Sequence, residues 1–354
     1  MARTARRIGV PSVTARTQLS KSFPRVGIQP LPQGTPGRAT PQSVGIKDAN
    51  PLTFFVIGDH GGIKAPGPQN AVSYAMQRSG LKAPAFVYSV GDVVYFNGDA
   101  TEYQPQFYEA YGHLAVPIVA IPGNHDGDTT DDPSRKPLDT FMANFCAAKP
   151  ATPSADPHLE FGRHTQTQPY CDWTLALSAV TIVGIYTNVP EGGHLEGSQI
   201  TWLTGELSQA ATDRPLIVAL HHPPFSVDAH HGGSQHMATA LDQAFDASGR
   251  LPDLVMTGHV HDYQRFSRTY KRKKITYVVM GNSGYHNLHQ LATGAKAGEQ
   301  VGPGVVFEYG DASQYGYLTL TVSGGKISGE YTGVTPGTMP DGSNATVTPG
   351  KDRF

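Results

Sequence analysis

The 354-residue chain has only two cysteines, Cys146 and Cys171, and little charge of either sign, with 27 Lys and Arg against 29 Asp and Glu. It also lacks any run of about 18 apolar residues, so no membrane-spanning helix is expected. A formal charge of −2 sets up no basic field, which argues against nucleic acid as a main partner. The two cysteines leave open either one disulfide or two free thiols. Arg6 and Arg7 open a basic start, but no apolar stretch of about 7 to 15 residues follows, so no signal peptide is recognised.

Glycine and proline are plentiful, at 40 and 28 residues, above their usual shares, which implies many long loops. Residues 1–50 are rich in Arg, Pro, Gln, Thr and Ser and lack a helix or strand period, so they read as an arm or linker, partly disordered. Residues 51–335 read as one catalytic domain, and 336–354 as a tail wrapping the surface. No internal repeat is evident. Helices are expected over 198–209, with Ile200, Leu203 and Leu207 on one face and Ser198 as cap, and over 137–146 and 234–246. After His261, the segments QRFSRTY, KITYVVMG, YGYLTLTVS and KISGEYTG read as consecutive antiparallel strands.

Five short segments carry the chemistry. LTFFVIG leads to Asp59, FVYSVG to Asp92 and Tyr95, VPIVAIPG to Asn124 and His125, LIVAL to His221, and PDLVMTG to His259 and His261. Each is an apolar, β-branched run, a turn, then a ligand type. That is how buried strands look in an α/β protein whose site lies beyond the carboxyl ends of its strands, so the ligands should converge. Because they fold together, the stretch from 59 to 261 cannot be divided between domains. Carboxylates, an amide oxygen, imidazoles and a phenol form a mixed N/O set suited to Zn, Mn or Fe. Seven side chains are too many for one catalytic ion with an open position; they suit two ions bridged by a carboxylate, roughly 3.5–4 Å apart.

These segments resemble the purple acid phosphatases, a branch of the calcineurin-like metallophosphoesterases, over about residues 52–325. Wider members begin with Asp-x-His; here Gly61 stands in the histidine's place and Tyr95 supplies the tyrosinate of the purple enzymes. The resemblance implies a first ion on Asp59, Asp92, Tyr95 and His261, and a second on Asp92, Asn124, His221 and His259, with Asp92 bridging. It further implies Fe(III) at the Tyr95 site and Fe(II), Zn or Mn at the second site. A phenolate is stabilised only where a cation favours its charged form.

The implied fold is an α/β four-layer α/β/β/α sandwich of two mixed sheets flanked by helices, in the small single-domain form. The implied reaction is hydrolysis of phosphomonoesters by in-line attack of a metal-bound hydroxide on phosphorus, with a small phosphate ester or phosphate anion as partner. His125 would bind phosphate and protonate or hydrogen-bond the leaving oxygen. His231, ten residues after His221, matches a second substrate-facing histidine; His230 beside it in a Gly-rich loop is the competing choice, and the alternative is that neither points inward. His60 should point away from the metals, His222 should be structural, His286 should lie on a surface loop, and Asp126 should orient a neighbour. A periplasmic or secreted setting follows from the resemblance alone. A phosphodiesterase or nucleotide hydrolase on the same site is the rival enzyme, and a non-catalytic metal-binding interaction protein the rival of another class.

Overall fold

The apolar runs become strands of two mixed sheets in the computed structural model, which describes residues 26–80, 84–153 and 162–354. Numbered in chain order, the nine-stranded sheet runs β1 (Gly37–Ala39), β5 (Trp173–Ala176), β6 (Thr181–Ile185), β7 (Leu216–Leu220), β8 (Leu254–Thr257), β10 (Lys273–Met280), β9 (Tyr263–Tyr270), β12 (Val305–Asp311) and β11 (Gln300–Gly302). The six-stranded sheet runs β15 (Thr346–Arg353), β14 (Lys326–Thr335), β13 (Tyr315–Ser323), β2 (Leu52–Ile57), β3 (Val87–Ser89) and β4 (Ile118–Ala120). The parallel blocks β2-β3-β4 and β6-β7-β8 point their carboxyl ends at the site.

Strand alternation decides what each sheet buries. In β2, Leu52, Phe54 and Val56 face the space between the sheets, where they meet Ile217, Met256 and Val278. Phe55 and Ile57 face outward, beneath α1 (Gly67–Gln77). Burying each such large side chain is worth about 1.5–3 kcal/mol. The four-residue α2 (Asn124–Gly127) follows β4, and α3 (Asp139–Phe145) joins α1 on that outer face. On the far side, α4 (Gly197–Gln209) and α5 (Gln235–Ser248) cover the nine-stranded sheet through Leu203, Leu207, Leu241 and Phe245. This is the α/β/β/α sandwich.

Several local readings needed correction. Gly37–Ala39, inside the segment expected to be an arm, pairs in parallel with Trp173–Leu175, and Ala39, Val44 and Ile46 are buried; a tripeptide strand is too short to show a period. Residues 1–25 lie outside the described residues. The tail does more than wrap the surface, since Thr346–Arg353 pairs with β14. The strands after His261 are split, β9 with β10 in one sheet and β13 with β14 in the other, and β11 and β12, which sequence periodicity missed, lie between them in the chain. Helix α4 is capped by Glu196 rather than Ser198, with Gln199 Oε1 accepting from the Glu196 N–H at 3.0 Å. Ser234 caps α5 by accepting from Met237 N–H at 3.1 Å. Cys146 and Cys171 are free thiols.

Candidate metal centre

Three of the seven candidate ligands stand immediately after a strand-ending glycine in the left-handed region: Asp59 (φ 51°), Asp92 (φ 52°) and His259 (φ 69°). That conformation costs a non-glycine residue about 1–2 kcal/mol, and each turn aims a side chain across the gap between the sheets. The turns themselves are pressed together. A Cβ on Gly91 would lie 2.6 Å from Gly123 N, so only glycine permits this approach.

The seven side chains meet in two groups joined by Asp92. In one, the Tyr95 hydroxyl lies 3.3 Å from Asp59 Oδ1 and 3.4 Å from His261 Nε2, and His261 Nε2 is 3.5 Å from Asp59 Oδ1. In the other, Asn124 Oδ1 lies 3.0 Å from both His221 Nε2 and His259 Nδ1. Asp92 Oδ2 is 3.5 Å from His221 Nε2, and its carboxylate is close enough to Tyr95 to oppose ionisation of the phenol. All seven stand beyond the carboxyl ends of β2, β3, β4, β7 and β8, Asn124 as the first residue of α2.

The histidine tautomers show what this arrangement needs. His221 Nδ1 is 2.9 Å from the Val90 carbonyl and His261 Nδ1 is 3.0 Å from the Asn287 carbonyl. A carbonyl only accepts, so both rings carry their proton on Nδ1. In the neutral ring, each Nε2 then turns a bare lone pair toward carboxylate and amide oxygens. Positive charge between these groups, a proton on His221 Nε2 or a metal ion, relieves the facing lone pairs, and ring nitrogens so oriented by a second partner are the usual form of a metal-binding histidine.

The electrostatics agree. Burial raises Asp59 to about 7, although His221 pulls the other way, while burial of Asp92 is outweighed by His221 and His125, which hold its carboxyl well below the usual range. Burial opposes protonation of His221, yet Asp92 and Asp59 raise it to about 9. Burial lowers His259 to about 4 and His261 to about 3, and it drives the Tyr95 phenol well above its ordinary value. Two buried acids sharing a site with histidines and a phenol are relieved by positive charge.

Around this set, His125 donates its N–H to Asp92 Oδ1 at 2.9 Å, and its ring lies 4.6 Å from that of Tyr95. His125 Nδ1 is buried without a hydrogen-bond partner. Asp126 accepts from Gly123 N–H at 2.8 Å, Val93 N–H at 3.1 Å and Val94 N–H at 3.3 Å, tying two ligand turns together. His231 stands inward, its ring 4.3 Å from that of His259, while His230 is exposed. His60 turns away to Ser89 Oγ at 2.8 Å, and His222 Nδ1 meets Thr187 Oγ1 at 2.7 Å. His286 is half-buried on its loop, with its carbonyl accepting from the Tyr315 hydroxyl at 3.1 Å.

Three nearby residues escaped the sequence reading. Glu191, in the loop after β6, has Oε1 3.0 Å from His231 Nδ1 and Oε2 3.5 Å from His259 Nε2. His289 stacks on His261 at 4.3 Å, and the Tyr285 ring lies 4.3 Å from that of Tyr95. All three sit in loops without a strand-then-ligand pattern; the Gly-Gly pair after Glu191 and the run of aromatic and imidazole residues at 285–289 were the available hints.

Known proteins resemble this chain in sequence and in fold. Purple acid phosphatase 22 of Arabidopsis thaliana is 27% identical over 253 residues, 66% of this chain and 52% of that protein. A probable cyclic nucleotide phosphodiesterase of Rhodopseudomonas palustris is 25% identical over 55% of this chain and 64% of its own length. The purple acid phosphatase from yellow lupin (Lupinus luteus) seeds superposes with a TM-score of 0.59 at 17% identity, covering 86% of this chain and 53% of the lupin chain. The chain spans about half the length of the plant relatives it matches, at 52%, 44% and 47% for three of them. The Calcineurin-like phosphoesterase family profile matches residues 52–263, which run from β2 to the start of β9 and include every candidate ligand, and the chain belongs to that family.

Proposed function

We propose that this chain hydrolyses phosphomonoesters at a centre of two metal ions. The observation that carries the reading is the pair of rings anchored through Nδ1, His221 and His261, whose Nε2 atoms point at Asn124 and Asp92 and at Asp59 and Tyr95. Asp59, Tyr95 and His261 would hold one ion and Asn124, His221 and His259 the other, with Asp92 shared. We assign Fe(III) to the Tyr95 side, because a phenol this buried ionises only beside a strong cation. Fe(II), Zn or Mn suits the Asn124 side. Bound there, two cations supply Lewis acidity to the phosphoryl oxygens and lower the pKa of water.

The chain's own groups handle orientation and protons. Asp126 fixes the turns that carry Asp92 and Asn124, and the His125 backbone N–H fixes one oxygen of Asp92. The His125 ring, with Nδ1 unpartnered, is our candidate for the group that hydrogen-bonds or protonates the leaving oxygen. His231 is the second substrate-facing group, because its ring overhangs His259. A periplasmic or secreted setting belongs to the same proposal, and cell fractionation tests it.

The deciding experiment is metal analysis with a visible spectrum, followed by turnover of p-nitrophenyl phosphate at pH 5 and pH 7. Two ions per chain, a tyrosinate-to-iron band and monoester turnover are expected. Similarity to a phosphodiesterase gives a second reading, hydrolysis of phosphodiesters, and turnover of bis-p-nitrophenyl phosphate or a cyclic nucleotide in preference to the monoester would establish it. Metal uptake with no turnover of either ester would favour a non-catalytic role.

A further inference from the structure

The proposed dinuclear centre leaves one feature without a purpose: a carboxylate at its rim that touches two histidines with different tasks. Glu191 Oε1 is 3.0 Å from His231 Nδ1, a hydrogen bond in which the imidazole donates. Glu191 Oε2 is 3.5 Å from His259 Nε2, at the outer limit of a hydrogen bond, and that nitrogen is buried with no other partner. The other nitrogen of His259, Nδ1, faces Asn124 Oδ1 at 3.0 Å. A histidine that gives Nδ1 to an ion must carry its proton on Nε2, and that N–H needs an acceptor. Glu191 is the carboxylate in place to be that acceptor.

The loop is built to keep it there. Gly192 (φ 79°) and Gly193 (φ 77°) make a left-handed turn closed by Gly193 N–H donating to the Pro190 carbonyl at 2.7 Å. The next residue ties back through His194 N–H to the Thr187 carbonyl at 2.7 Å. A Cβ on Gly193 would lie 3.0 Å from the His222 ring, so the turn sits directly on the residue beside ligand His221. Ser234, the cap of α5, reaches across to the Gly192 carbonyl. The glutamate therefore projects from a turn fastened at both ends rather than from a loose surface loop.

We infer that Glu191 is a positioning residue that sets the tautomer of His259 for metal binding with one oxygen and holds the His231 ring over the centre with the other. One carboxylate thereby couples the second metal site to the substrate-facing histidine, resting on the dinuclear reading above.

The test uses the full chain and two variants, Glu191→Gln, which keeps the shape and one acceptor, and Glu191→Ala. Two readouts are needed. In the metal-loaded protein, release of ions to EDTA should become about 10- to 100-fold faster for one of the two equivalents and stay unchanged for the other. In the metal-free protein, 15N NMR of the imidazoles should show that both His231 and His259 lose their wild-type tautomers in Glu191→Ala, and that one of the two loses it in Glu191→Gln. Wild-type release of both equivalents together with unaltered tautomers would overturn the assignment. So would a third bound equivalent that disappears in Glu191→Gln, because Glu191 would then be a ligand itself. If the wild-type chain takes up no metal, the dinuclear reading fails on its own, and the metal-free tautomers still decide the role of Glu191.

Discussion

Gly123 lies against Asp92 so closely that a methyl group on its Cα would stand 2.1 Å from Asp92 Oδ1 and 2.4 Å from Asp92 N. The backbone of Gly123 is extended (φ −94°), so the demand for glycine is one of space alone. Gly123→Ala should push Asp92 and Asn124 apart while costing about 1–3 kcal/mol in overpacking. We expect a folded protein with metal content below one ion per chain and turnover down at least about 100-fold, since a 1 Å misplacement can cost that much. Metal analysis beside a thermal melt checks this, and a fully loaded variant would refute it.

Asp92→Asn removes the charge that both groups of ligands share. Both ions should be lost together, and turnover should fall by about three orders of magnitude or more, because an amide oxygen cannot neutralise two cations. Retention of full activity would end the two-metal assignment.

Tyr95→Phe separates colour from catalysis. The phenol is buried against Asp59 and His261, and deleting its oxygen leaves Asp59, Asp92 and His261 to hold the ion. The visible band should vanish while part of the hydrolysis survives. A preparation that stayed purple would show that Tyr95 is not the chromophoric ligand.

Asp172 offers a pH test on a group outside the candidate ligand set. Burial raises its carboxyl to about 7, although Tyr186 N–H at 2.6 Å and Gln199 Nε2 at 3.0 Å donate to it. Above about pH 4 the unfolded chain has released a proton that the folded chain still holds. The stability from this group is therefore complete below about pH 4 and lost as the pH rises through 7, with a slope of up to about 1.4 kcal/mol per pH unit. Asp172→Asn should flatten that fall. Urea midpoints at pH 5 and pH 7 for both proteins isolate the effect, because the other buried acids contribute equally to each. An unchanged slope would refute it.

Asp352, in β15, accepts from Tyr263 Oη at 2.9 Å, Arg265 Nε at 2.6 Å and Arg265 Nη2 at 2.8 Å, joining the edge strand of one sheet to β9 of the other. Asp352→Ala strands a half-buried guanidinium and should cost about 2–3 kcal/mol. Turnover per folded molecule should not change. A stability loss under about 1 kcal/mol would mean that solvent replaces the pair, as it does for exposed ones.

How legible each part was in the sequence follows from how local its cause is. The convergence of Asp59, Asp92, Asn124, His221 and His259 could be anticipated because a buried parallel strand is a continuous apolar run, and its end marks where a side chain enters the site. The helix starting after Ser234 was visible for the same reason, a cap followed by a period. Glu191 and His289 were not visible, because their place depends on where a loop lands against His259 and His261, a tertiary fact with no local pattern. Likewise, nothing in the tripeptide Gly37–Ala39 announces a strand; its partner Trp173–Leu175 creates it. The split of the late strands between two sheets was hidden too, since periodicity reports that a strand exists and says nothing of its neighbour.

The pairing of β2 with β13 sets the order in which this protein can be made. The Thr53 and Thr321 hydroxyls meet at 3.1 Å across 268 residues of chain. At ribosomal rates of roughly 5–20 residues per second, β2 waits on the order of tens of seconds for its partner. During that interval the strand that delivers Asp59 has an open edge, the kind that invites wrong pairing. Residues 315–323 must leave the ribosome before that edge is covered, long after the loops carrying Asp59 to His261 have been made. The strand that carries Asp59 to the site is thus the one whose second neighbour arrives latest among the pairs that frame it.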